Sequence, residues 1–135
     1  MLLNDECSPT TDEIGFIELP VGEASRIITA QWKPLISIRV SQHTGPLRDI
    51  LGKLLPLTSL ECRRRVFVQT AGRWTAYVDN GWRGTDAFAV ISNLGEERCM
   101  GMRVTDPQSF AGVPRAVDSP GVIWDVYGPE ATRQP

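Results

Sequence analysis

Two strand-like runs lie almost back to back in this chain, RVFVQT at residues 65–70 and WTAYVDN at residues 74–80, with only Ala71, Gly72 and Arg73 between them. A break that short, containing glycine, joins strands as a hairpin. The chain is therefore committed to at least one antiparallel pair. Side chains alternate across a strand, so Trp74, Ala76 and Val78 share one face of the second run, expected to point inward. Thr75, Tyr77 and Asp79 share the other, expected to point outward. Asn80 and Gly81 both tolerate positive φ and end the strand. Thr85 or Asp86 is then placed to cap a helix reaching about Glu97, whose apolar positions are Phe88, Ile91 and Leu94, with Ala87 and Val90 beside them. Trp82 precedes that helix where a hydrophobic residue folds back over the first turn.

The rest of the chain supplies partners for the hairpin. EIGFIELP (13–20) reads as a short strand ended by Pro20, and LISIRV (35–40) alternates as a strand with one buried face. Residues 21–32 are ambiguous, because Ile27 and Ile28 are β-branched while Glu23 to Arg26 suit a helical turn. A helix is expected from Pro46 to Leu55, capped by Thr44 or Gly45. Its apolar stripe is Leu47, Ile50, Leu51, Leu54 and Leu55, and Pro56 stops it. MGMRVT (100–105) and VIWDVYG (122–128) read as strands around a Pro- and Gly-rich loop at 106–121. Strands and helices interspersed around a hairpin indicate an α+β domain. The expected architecture is a mixed or antiparallel sheet of five to six strands with two main helices packed on it. Residues 1–12 are expected to form a flexible arm, 13–128 the single domain and 129–135 an irregular tail.

At 135 residues the chain has the size of one core, and 41% hydrophobic with 22% charged residues is the composition of a globular domain rather than a disordered one. A net charge of -2 supplies no global attraction to nucleic acid or to an anionic membrane, so neither is an expected partner. Cys7, Cys62 and Cys99 are odd in number and widely spaced, with no CxxC pair. Together with the acidic opening MLLNDECSPTTDE, which has too short an apolar run for a secretory signal, they point to the cytoplasm. No window approaches a membrane span.

Chemistry-bearing patterns are sparse. His43 is the single histidine and belongs to a turn before a helix; a Cys-His nucleophilic pair would need Cys62 or Cys99 beside it. No metal-ligand spacing and no phosphate-binding glycine pattern occurs, so no metal or cofactor is expected. Asp79, Asp86, Asp118 and Asp125 permit an acid pair only in the sense that any chain with 16 acidic residues does. Arg63, Arg64 and Arg65 form the one basic run, with Arg73 on the same hairpin, and offer contact to an anion or an acidic partner. The set Tyr77, Asp79, Trp82 and Arg83 combines aromatics with an arginine and a carboxylate, the composition of a protein-binding hot spot.

The aromatic strand and Asn-Gly break in WTAYVDNG (74–81), the helix entry GTDAFAVISNL (84–94) and the late aromatic strand VIWDVYGPE (122–130) resemble small cytoplasmic immunity proteins of bacterial polymorphic toxin systems. The resemblance covers about half of the chain. It implies a stoichiometric inhibitor that blocks the active site of a cognate toxin enzyme, and it carries over no catalytic residue. Two alternatives stand beside it: a small enzyme whose site gathers dispersed acids such as Asp79 and Asp125 with the arginines at 63–65, and a nucleic-acid-associated accessory protein using Arg63, Arg64, Arg65 and Arg73.

Overall fold

The computed structural model describes residues 4, 6–61, 63–97, 99–106 and 123–128. Five strands, β1 (Glu13–Ile17), β2 (Arg65–Gln69), β3 (Thr75–Asp79), β4 (Gly101–Thr105) and β5 (Ile123–Tyr127), form one sheet in the order β2-β3-β1-β4-β5. Every neighbouring pair is antiparallel. Three helices accompany it: α1 (Val21–Trp32), α2 (Leu47–Leu51), which runs on into a 3₁₀ turn at Gly52–Leu54, and α3 (Ala87–Glu97). This is an α+β layout. No helix among the described residues is long and apolar enough to cross a membrane.

Register explains the layering. Gly15 lies between Tyr77 and Arg103, and Phe16 between Ala76 and Met102. One face therefore carries Phe67, Tyr77, Gly15, Ile17 and Tyr127, and α1 and α3 pack there through Ile27, Ile28, Ile91 and Leu94. Helix α3 crosses above β1 and joins β3 to β4, which run parallel to each other on either side of β1. Its closest approach is made by Ile91 over two glycines. A Cβ at Gly15 would stand 2.7 Å from Ile91 Cγ1, and one at Gly101 would stand 2.6 Å from Ile91 Cγ2. The other face is covered only in part, where Leu51 and Leu54 pack against Val78, Val66 and Ile14.

Four expectations are corrected. Thr75, Tyr77 and Asp79 do not face solvent: they are the buried face of β3, under α1 and α3, while Val78 is buried under α2 on the opposite side. A strand covered from both sides hides its polar residues as well as its apolar ones, provided they find partners. Residues 35–40 form no strand; Leu35, Ile36 and Val40 are exposed in the linker between α1 and α2. The helix expected from 46 to 55 keeps only its first turn before tightening to 3₁₀ at Gly52, and Leu47 and Leu55 stay exposed while Leu51 and Leu54 are buried. Residues 6–12, expected to be loose, form hydrogen-bonded turns, and buried Thr10 donates its hydroxyl to Leu57 O at 2.8 Å. The tail at 129–135 and nearly all of the loop at 106–121, Asp118 included, lie outside the described residues.

Candidate functional site

The loop that follows β3 gathers most of the polar residues of the core. Asp79 Oδ2 accepts a hydrogen bond from Tyr77 Oη at 2.7 Å, and its Oδ1 accepts one from Gly81 N at 2.7 Å. Both side chains lie on one face because they are two apart on a strand. Burial first, and the adjacent Asp79 carboxylate second, hold the Tyr77 phenol well above the usual tyrosine range, with Arg65 opposing. Thr85 Oγ1 accepts from Asp79 N at 2.9 Å and donates to Thr10 O at 2.7 Å. The buried Asn80 side chain donates to Leu54 O and Pro56 O and accepts from Arg64 N. A turn closes between Gly84 N and Gly81 O at 2.9 Å. Gly84 has φ +96, and a Cβ there would meet Pro9 O at 2.4 Å, so the loop seats directly on the backbone before Thr10.

This frame presents Trp82 and Arg83. Trp82 is 55% exposed. The Arg83 guanidinium carbon lies 4.2 Å from the centroid of the Trp82 ring, within cation–π range. Trp82 stands between two depressions. One, of about 610 Å³, is bounded by Asp12, Glu13, Arg63, Asp86 and Arg103 together with the loop. The other, of about 420 Å³, is formed with residues 58–61, including the strongly exposed Leu60.

At the floor of the larger cleft Glu13 Oε1 accepts the Ala87 N–H at 2.8 Å and so caps α3, the role expected of Thr85 or Asp86. Thr85 is instead committed to the loop. Burial raises the Glu13 carboxyl above the usual range, against the lowering effects of the Ala87 N–H and Arg103. Arg103 donates Nε to Asp125 Oδ2 at 2.8 Å and stands 3.9 Å from Glu13 Oε2. Burial works to lower its pKa, and these carboxylates outweigh it and hold the guanidinium charged.

The residues singled out from sequence separate into distinct roles. Tyr77 and Asp79 lie beneath the loop and are not accessible, whereas Trp82 and Arg83 form its tip. Arg63 lines the cleft. Arg64 bonds Leu55 O on the α2 side. Arg65 turns to the opposite face of the sheet and lies 4.7 Å from the Trp32 ring centroid. Arg73 is exposed in the β2–β3 turn, at the far end of the hairpin from Arg65. The arginine run is thus split among three environments and forms no continuous basic patch. Leu60, Glu13 and Arg103 were not singled out from sequence; their association with Trp82 or with α3 depends on contacts between distant segments. No group of three or more His, Cys, Asp or Glu among the described residues is placed to hold a metal ion.

Compared with known proteins, the chain matches no family model, no curated protein and no solved structure.

Proposed function

We propose that this chain is a protein-binding module that docks through the Trp82 loop, and that it acts as an immunity-type inhibitor occluding the active site of a cognate bacterial toxin enzyme in the cytoplasm. The observation that supports docking is the exposed Trp82 stacked under Arg83, at the crest of a loop whose base is fixed by buried hydrogen bonds. A large aromatic held rigid beside an arginine loses little conformational freedom on binding, and these two residue types are enriched at hot spots. Leu60 beside it adds apolar surface to the same patch. The inhibitor role is supported by the resemblance of residues 74–81, 84–94 and 122–130 to immunity proteins.

The test is capture of partners from the source cell with the tagged chain, followed by titration of the captured enzyme. A 1:1 complex that abolishes the enzyme's activity is expected. Trp82→Ala and Arg83→Glu should each weaken it by about 2 kcal/mol or more. Unchanged affinity in both variants, with the fold retained, removes the loop as the contact site. Capture of a partner whose activity is unaffected removes the inhibitor role and leaves the binding module.

The cleft beside the loop supports a second reading, a small enzyme. It brings Asp12, Glu13 and Asp86 near Arg63 and Arg103, a different set from the Asp79, Asp125 and arginine-run combination considered from sequence. That reading requires turnover that falls when Asp86 is replaced by Asn.

A further inference from the structure

Residues 35–40, LISIRV, carry a strand pattern that the sheet does not use. Leu35 is 74% exposed, Ile36 50% and Val40 68%. Among the described residues, the backbone groups of 37–44 make no hydrogen bond. Leu35 N and Ile36 N bond Trp32 O and close the turn after α1, so the stretch with unpaired backbone begins at Ser37. A segment with alternating apolar residues and unpaired backbone is suited to strand addition on a sheet edge.

Among the described residues the sheet ends at two edge strands, β2 and β5. Alternation places Ile36, Ile38 and Val40 on one side of the segment and Ser37 and Arg39 on the other. Against β2, matching the apolar sides would put Arg39 on the face that carries Arg65, a like-charge pairing. Against β5, the same match sets Ile38 and Val40 beside Trp124 and Val126, which are 66% and 48% exposed, and sets Arg39 beside Asp125. At β5 apolar side therefore meets apolar side and Arg39 meets a carboxylate, one oxygen of which Arg103 already occupies, whereas at β2 it would meet Arg65.

The chain cannot make this contact with itself. The segment leaves α1 just after Trp32, whose ring lies on Arg65 of β2. β5 is at the opposite edge, four strand spacings away, which is about 19 Å. The three Cα steps from Trp32 to Leu35 span at most about 11 Å, and Leu35 and Ile36 are tied back to Trp32 O.

We propose that residues 37–40 of one copy add as a sixth strand to β5 of a second copy, so that each chain carries both the donor strand and the acceptor edge of a homodimer. This contact is independent of the Trp82 loop. Burying aromatic and β-branched cross-strand pairs supplies the apolar gain, and the backbone ladder satisfies groups of 37–40 that make no hydrogen bond in the monomer.

The experiment is sedimentation velocity on the full chain over a wide concentration range, with hydrogen exchange measured at its two ends. A monomer–dimer equilibrium is expected, with protection appearing at 37–40 and at the outer edge of β5 as dimer forms. Ile38→Pro removes a donor N–H from backbone that bonds nothing in the monomer, so the fold is retained and self-association should weaken at least about tenfold. Val126→Lys should do the same from the acceptor side. Mixing the two variants should restore a one-sided pair, because each keeps the half that the other lacks. A chain that is monomeric throughout, a dimer indifferent to Ile38→Pro, or protection of 37–40 in the monomer would each overturn the assignment.

Discussion

Gly15→Ala tests whether α3 is seated on the sheet by its contact with glycine. The new methyl carbon would lie 2.7 Å from Ile91 Cγ1, 2.8 Å from Ile91 Cδ1 and 3.1 Å from the Ala87 side chain. Carbon atoms in packed interiors prefer about 3.5–4.0 Å, so close to 1 Å must be found. Ile91 and Ala87 are both fully buried, which leaves Ile91 no empty space to turn into. Either Ile91 leaves its rotamer or the helix lifts from β1. Overpacking of this kind costs about 1–3 kcal/mol, offset by up to about 1 kcal/mol because alanine has less freedom than glycine in the unfolded chain. A net loss of about 1–2 kcal/mol is expected in urea unfolding, with the slope unchanged. Ile91→Ala alone should cost about 2–5 kcal/mol by leaving a cavity. In the double variant the added methyl occupies part of that cavity, so the two losses should fall short of their sum by at least about 1 kcal/mol. Additivity within about 0.5 kcal/mol would show that Gly15 and Ile91 do not compete for space and would refute the account of how α3 is held.

Two further outcomes follow from the buried polar groups. Tyr77→Phe leaves Asp79 Oδ2 without its donor; unfolding should be easier by about 1.5–3 kcal/mol, as for a hydrogen bond to a charged acceptor. Because the folded-state pKa of Tyr77 is raised, its share of stability is complete below the ordinary tyrosine pKa and is lost as pH climbs towards the folded value. Alkaline unfolding curves of wild type and Tyr77→Phe should therefore converge above that range, and parallel curves would argue against the buried phenol. Glu13 is also raised, so the stability of wild type relative to Glu13→Gln should fall as pH rises through the folded carboxyl value. A difference that grows instead would mean that the Ala87 N–H and Arg103 outweigh burial.

The strands were legible because β-branched and aromatic residues cluster in short runs bounded by turn residues. All five observed strands fall within runs expected as strands. Which face is buried was less legible. In β3 both faces are covered, and the one that reads as polar, Thr75 with Tyr77 and Asp79, is the more deeply buried, since each residue finds a hydrogen-bond partner there. Its spacing was the available signal, because a tyrosine two residues from an aspartate on a strand can bond it directly. Helix starts were hidden for a different reason. Gln69 Oε1 accepts Val21 N at the head of α1, and Glu13 Oε1 accepts Ala87 N at the head of α3, from 48 and 74 residues away. Local capping rules cannot see such partners. Residues 21–32 were ambiguous for the same reason: Ile27 and Ile28 become helical because the core beside Phe67 and Tyr77 receives them. Residues 35–40 show the converse, a strand pattern with no strand partner among the described residues. At the candidate site, Trp82 and Arg83 were identifiable by residue type, but the depressions flanking them arise only when residues 9–13, 58–61, Arg63 and 103–106 converge.

The strand made first is the one in the middle. β1 is bordered by β3 and β4, and each outer pair, β2 with β3 and β4 with β5, meets the other only through it. During synthesis this five-residue segment must wait until residue 79 has emerged before it has a single complete neighbour, and until residue 105 before it has both. Glu13–Ile17 is thus a keystone, and deleting it would divide the sheet into two hairpins instead of narrowing it by an edge.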